Sequence, residues 1–418
     1  MTSSGRTLER IEVIDVLRGF TLFGIVLAHM VDQYYAGLPP EHAGSFASTN
    51  LADGMARAFT EVFISGKFYM IFAFLFGLSF HLQLSRSSNR SSFLLRFSWR
   101  LAVLFMIGLV HHLHFRGDIL TIYAMLGFGL LLLYRLPDRY LLIAGIVLLL
   151  NVPSVVVRGI DVLVPDGALA VSPAADQTVL LKYFDTLKSG AYVDILRANF
   201  FEFGTKMRFQ FSSGRIYITF GLFLLGLCVG RRRVFEDLPS HLPSIRRLLK
   251  LSARVLLGCV LCALAGVGGA ALFEISITEQ ALRLIGGMAI DLFSAALAAF
   301  YVAGVIVLFQ QERWRGRLMN FHAVGRMGLT TYLMQTVCGA LILFGIGWGL
   351  LAEMGASLLL AIAVAVFAIQ IVFSEFWLKH FDYGIVEWLW RSLTYLKRQP
   401  LKKRQYGPSR VTDAAYGA

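Results

Sequence analysis

The stretch SLLLAIAVAVFAIQIVFSEFWL, residues 357–378, decides the class of fold. It carries one charged residue, Glu375, and neither Gly nor Pro. As a helix rising 1.5 Å per residue it reaches roughly 33 Å, enough to cross the hydrocarbon core of a bilayer. Comparable apolar runs recur along the chain. The expected spans are 14–31, 62–83, 98–115, 119–135, 140–157, 213–230, 252–273, 285–309, 328–350 and 357–378. This pattern predicts an all-α integral membrane protein of about ten transmembrane helices. Composition agrees: the 418 residues are 57% hydrophobic and 16% charged, with mean hydropathy +0.66, too apolar for a water-soluble domain.

Basic residues orient the chain. If the first span runs outward, 28 of the 39 Lys and Arg residues fall on the cytoplasmic side. They include Arg6, Arg10 and Arg18, Arg86 to Arg100, Arg231 to Arg254, Arg313 to Arg326, and the tail from Lys379 to Arg410. Adding or dropping one span scrambles this bias, so both termini are expected in the cytoplasm. The net charge of +13 is therefore a topological signal, with membrane lipid as an expected partner. Nothing in the pattern argues for nucleic acid.

One membrane domain is expected over residues 1–395, followed by a basic cytoplasmic tail over 396–418. The start, Met1 to Glu12, is polar and lacks the features of a cleaved secretory signal, so the first span is expected to be retained. Residues 160–212 form the longest connection. Apolar positions at three- and four-residue spacing alternate there with Lys182, Lys188 and Arg197. That spacing predicts an external amphipathic segment on the outer leaflet or over a cavity, with a plain connector as the alternative. Cys259 and Cys262 have half the spacing of a zinc site but no matching pair, so they are expected to be small packing residues and no metal is expected.

Ionisable groups at membrane depth are costly and tend to face a cavity or a partner. Asp15 and Arg18 share one helical face at the inner mouth of the first span. An arginine fork there suits a phosphate or carboxylate, but spacing alone favours a structural ion pair that sets the depth of the helix. His29 follows near the other end of that span. In Ser65-Gly66-Lys67-Phe68-Tyr69, Lys67 either snorkels to the headgroups or points inward as a cation. The densest titratable set is His111-His112-Leu113-His114-Phe115-Arg116-Gly117-Asp118. A histidine oriented by a carboxylate is suited to deprotonating a hydroxyl or amine, while Asp118 is also placed to cap the following helix. Arg326 opens the ninth expected span, and Thr330, Tyr332 and Gln335 follow as groups that line a path or join helices.

These same segments resemble the YeiB-like family of bacterial inner-membrane proteins, also called domain of unknown function family 418. The resemblance rests on RIEVIDVLRGFTLFGIVLAH, FISGKFYMIFAFLFGLSF, IGLVHHLHFRGDILTIYAMLG, VGRMGLTTYLMQ and FSEFWLKHFDYGIVEWLWRSLTY, and covers almost the whole chain. His29 stands where the family usually has Asn, and Gly328, Thr331 and Ile385 also depart from its pattern. The spacing leaves His111 or His112 as the family histidine; His111 is preferred. The family is itself similar to transmembrane acyltransferases, including acyltransferase family 3 and the lysosomal heparan glucosaminide acetyltransferase. That likeness implies transfer of an acyl group, acetyl above all, from cytoplasmic acyl-CoA to a small-molecule or glycan acceptor at the outer face. It casts His111 as base, Asp118 as its orienter, Lys67 and Tyr69 as groups polarising the acyl carbonyl, and Asp15, Arg18, Arg326, Tyr332 and Gln335 as substrate-binding. A homodimer is a further expectation. A transporter or exporter with a proton relay through Asp15, His111 and Asp118 is the alternative.

Overall fold

The computed structural model describes residues 11–37, 39–40, 50–163, 177–273 and 278–403. Among these, regular structure is helical apart from one isolated bridge between Phe381 and Lys402. Residues 404–418, most of the expected basic tail, lie outside the described residues, as do 164–176 of the long connection.

Helix α1 (Glu12–Val31) runs through the centre, with nearly all its apolar side chains buried. α2 (Leu51–Phe59) is capped by Asn50, whose side chain accepts from the Asp53 amide at 2.9 Å. A π-helical turn at Thr60–Ile64 and Gly66 at φ +80° then redirect the chain into α3 (Phe68–Ser85). α4 (Arg90–His114) and α5 (Leu120–Leu133) form an antiparallel pair around the His111–Asp118 turn. α6 (Asp138–Leu149) and α7 (Val152–Leu163) meet at Asn151, where the axis bends by 47°. Short helices α8 (Gln177–Ser189), α9 (Tyr192–Phe201) and α10 (Phe203–Ser212) follow, and α10 turns 70° into α11 (Arg215–Arg231). α12 (Leu238–Phe273) and α13 (Glu279–Phe309) make a long hairpin at the periphery. α14 (Glu312–Leu318) and α15 (Asn320–Arg326) lead into α16 (Gly328–Leu343), α17 (Ala356–His380) and α18 (Ile385–Thr394).

Every expected span carries an apolar helix, but they are unequal. Among the described residues six helices are long and apolar enough to cross a membrane, and eight spans result if each bent pair counts as one crossing. The expected spans 119–135 and 328–350 correspond to helices of 14 and 16 residues. Those reach only about 21 and 24 Å. α5 begins at the Asp118 turn, and α16, which starts as expected at Gly328 where Glu387 accepts from the Leu329 and Thr330 amides at 2.6 and 3.0 Å, ends at Leu343 because Phe344 turns to an extended backbone.

The centre of the bundle is set by close backbone approach. A Cβ on Gly325 would strike the Asp15 carbonyl oxygen, and one on Gly19 would strike that of Phe321. Small residues at such crossings let helices approach where no water is present to drive burial. The α1–α15 contact therefore brings Arg18 and Arg326 to the lining of one cavity.

Candidate active site

At the turn between α4 and α5, the Asp118 carboxylate collects five donors. Its Oδ1 accepts from His111 Nδ1 at 2.8 Å and from the Leu120 amide at 3.0 Å. Its Oδ2 accepts from the Thr121 amide at 3.0 Å, the Thr121 hydroxyl at 2.7 Å and Lys206 Nζ at 3.1 Å. Asp118 thus caps α5 and orients a histidine at once. Burial alone raises a carboxyl pKa, but the Lys206 ammonium and the His111 ring outweigh it, holding Asp118 well below the usual carboxylate range. An ionised Asp118 requires the proton of His111 on Nδ1. In the neutral ring Nε2 is then the basic nitrogen, and it faces the Thr336 hydroxyl at 2.9 Å. The order hydroxyl, imidazole, carboxylate is the geometry of an activated hydroxyl.

The helices of the long connection close over this network. Among its described residues, 177–212, the expected amphipathic segment is three short helices, α8, α9 and α10, which lie over the bundle end. Asn199 donates to the Leu113 carbonyl at 2.9 Å, and Lys206 comes from α10. Arg116 fastens the cover: it stacks on the Tyr35 and Tyr183 rings at 4.6 and 3.9 Å and pairs with Glu202 at 3.1 Å. His111 is 5% exposed as a result, and Asp118 1%.

A cavity of about 320 Å³ rises toward this network from the other end. Arg18, Arg100, Arg326 and Arg391 line its mouth, with Asp382 and Glu387. Its walls are aromatic and aliphatic, including Phe72, Phe76 and Leu104, and it ends at Tyr69, Tyr123, Ile119 and Tyr332. The Tyr332 ring lies 5.0 Å from the His111 ring, centroid to centroid, so one aromatic layer separates the cavity from the imidazole. At the mouth Arg18 is held by Asp15 at 2.8 Å and by the Ser79 hydroxyl at 2.5 Å. Arg100 bonds Gln83 at 2.8 Å and stacks on Trp390 at 4.0 Å. Glu387 is tied to the start of α16, and burial raises its pKa against those hydrogen bonds. The mouth is therefore a positively charged ring suited to phosphates.

Of the residues singled out from sequence, Arg18, Arg326, Tyr69 and Tyr332 line this cavity, Asp15 holds Arg18 from behind, and His111 and Asp118 sit just beyond its end. Two are placed differently. Gln335 reaches the Leu22 carbonyl at 3.2 Å and Gln370 at 3.1 Å, joining α1, α16 and α17 away from the cavity. Lys67 points into a second cavity, its Nζ donating to the Glu61 carbonyl at 2.7 Å. His112 turns to the Phe203 ring at 5.3 Å and His114 to the Tyr192 hydroxyl at 2.6 Å, which leaves His111 as the histidine oriented by Asp118. Among the described residues no three His, Cys, Asp or Glu side chains converge as a metal-binding group. Lys206, Thr336, Arg100 and Arg391 were not legible as site residues: each lies far along the chain from the groups it joins.

The fold and site define an all-helical, membrane-type protein with a buried histidine–carboxylate centre above a basic-mouthed cavity. The family described as "Protein of unknown function (DUF418)" matches residues 229–397. The "Uncharacterized protein YxaH" of Bacillus subtilis (strain 168) is 32% identical, covering 95% of this chain and 97% of its own length. The "Uncharacterized protein YeiB" of Escherichia coli (strain K12) is 27% identical over 93% of this chain and 97% of its own. An "Uncharacterized 39.9 kDa protein in amylase 3'region" of Bacillus acidopullulyticus is 27% identical over 94% and 96%. The chain belongs to the YeiB-like DUF418 family. No solved structure matches it.

Proposed function

We propose that this protein is a membrane acyltransferase that uses a cytoplasmic acyl-CoA as donor and a hydroxyl or amine at the other membrane face as acceptor. The observation that carries the proposal is the cavity with four arginines at its mouth and His111–Asp118 one aromatic layer beyond its end. In this scheme all ten apolar segments cross the bacterial inner membrane, with both termini inside. Arg18, oriented by Asp15, and Arg326 engage the donor phosphates, with Arg100 and Arg391 beside them, and the pantetheine arm runs up the apolar walls. Displacement of Tyr332 brings the thioester to His111. The acceptor oxygen or nitrogen then attacks the thioester carbonyl while His111 Nε2, directly or through Thr336, takes the acceptor proton. The C–S bond breaks, and the departing thiolate receives that proton. Tyr69, at the end of the cavity, is placed to donate to the carbonyl oxygen as negative charge develops there.

Acetyl-CoA and CoA are expected to stabilise the purified protein in a thermal-shift assay, and Arg18→Ala or Arg326→Ala to weaken that effect. His111→Ala is expected to lower acyl transfer in vesicles by about 10²–10⁴ while leaving donor binding intact. Full transfer by His111→Ala refutes the role of the base, and absence of any acyl-CoA binding refutes the donor.

One observation favours a transporter instead. Tyr69 lines both the basic-mouthed cavity and a second cavity, as a gate between two half-channels would. Proton-coupled flux in proteoliposomes without acyl chemistry would select that function.

A further inference from the structure

The second cavity, about 690 Å³, falls in the range of sites that bury small ligands. Its polar side is Glu61, Ser65, Lys67 and Arg215, and its other side is Cys259, Val260 and Ala263 of α12 with Ile290 and Phe293 of α13. The two sides differ in what they face. Lys67 is 4% exposed, while Val260 and Ile290 are 46% and 65% exposed on the outer surface of the hairpin. α12 packs chiefly on α13, and almost none of its apolar length is covered by the rest of the protein. A cavity with a buried basic floor and a side wall bathed in hydrocarbon is accessible to a molecule dissolved in the membrane.

The floor has unused charge. Lys67 Nζ donates to a backbone carbonyl, and Arg215 lies against the Tyr69 and Phe209 rings at 5.2 and 5.1 Å. Among the described residues neither cation has a carboxylate within ion-pair distance. Asp291 is engaged by Asn151 at 2.8 Å, and Glu61 is exposed. A buried ammonium such as that of Lys67 is normally matched by an anion, and the half-buried Arg215 adds a second positive charge beside it. With Glu61 and Asp291 the formal charge of the lining sums to zero, which suits a zwitterionic head group.

We infer that this cavity binds a zwitterionic glycerophospholipid, its phosphate between Lys67 and Arg215 and one acyl chain along Cys259, Val260 and Ala263. The site stands independently of acyl transfer.

The test uses the full chain in liposomes containing phosphatidylethanolamine with a photoreactive diazirine in its acyl chain, the labelled residues being mapped by mass spectrometry. Labelling of Cys259 and Ala263 is expected, beside general labelling of the lipid-facing Leu257 and Leu264. The pair Lys67→Gln and Arg215→Gln, combined, should lower the Cys259 and Ala263 labelling about tenfold, the cost of a lost charge-assisted bond. Ala263→Trp, which fills the cavity from its exposed wall and keeps both cations, should lower the Cys259 labelling to the same extent. Leu257 and Leu264 labelling should persist in both variants. A photoreactive diacylglycerol of the same chains, lacking the phosphate, should label Cys259 and Ala263 no more than it labels Leu257. Undiminished labelling in the charge variant, or equal labelling by the diacylglycerol, overturns the proposal. Should the charge variant fail to fold, undiminished labelling in Ala263→Trp overturns it alone.

Discussion

The Asp118–Lys206 pair is the place where a single atom change should be most informative. The Asp118 side chain is fully buried and that of Lys206 5% exposed, with 3.1 Å between them. Asp118→Asn keeps the shape but leaves the ammonium without a counter-charge and turns an acceptor toward it into an amide. Removing one partner of a buried pair costs about 3–5 kcal/mol, mostly the penalty of the stranded charge. Spread over the unfolding entropy of a chain of this length, that corresponds to a fall in Tm of about 3–6 °C. Lys206→Met alone should be similarly costly, because the Asp118 carboxylate loses its strongest neutralising neighbour. The double variant Asp118→Asn with Lys206→Met removes both charges and should lose much less than the sum. Thermal melts of the four proteins in one detergent complete the cycle, and a coupling of about 2–3 kcal/mol is expected. Strict additivity would show that the two groups do not depend on each other, and Asp118 would then be a helix cap with an incidental lysine nearby.

Other outcomes follow from the same geometry. Asp118 titrates well below its ordinary range in the folded state, so its contribution is present above the unfolded value of about 3.9 and lost as pH falls from there through the depressed folded value; Asp118→Asn should flatten the acid side of the stability profile below about pH 5. An unchanged acid slope would contradict this. Gly325→Ala should push α15 from α1 and destabilise by about 1–3 kcal/mol, with loss of any acyl-CoA thermal shift, since Arg18 and Arg326 would separate. A melt equal to wild type would refute that crossing. For orientation, cysteines placed at Arg57 or Lys188 should react with an impermeant thiol reagent in intact cells, whereas those at Arg90 or Lys402 should not; labelling of the Arg90 position from outside reverses the topology.

Much of this protein was legible in its sequence. Apolar runs such as 357–378 define where helices form, because a backbone in hydrocarbon must satisfy its hydrogen bonds within the segment. The joint presence of His111 and Asp118 across a Gly117 turn was local enough to read directly, as was the Asp15–Arg18 pair one helical turn apart. What connects these local units was not. Lys206 reaches Asp118 from 88 positions away and Thr336 reaches His111 from 225, distances that no spacing rule bridges. Likewise Lys67 and Tyr69, two residues apart at the start of α3, point to different sides of the helix, and the elements packed on each side decide that Lys67 faces only the second cavity while Tyr69 borders both. Gln335 had the polarity of a path-lining residue, yet the approach of α17 made it a link between helices. Hydropathy and local spacing act within one segment and are written in order along the chain; cavities and charge partners arise between segments, and only the packing of helices, through contacts such as Gly19 on Phe321 and Gly325 on Asp15, decides which side chains meet.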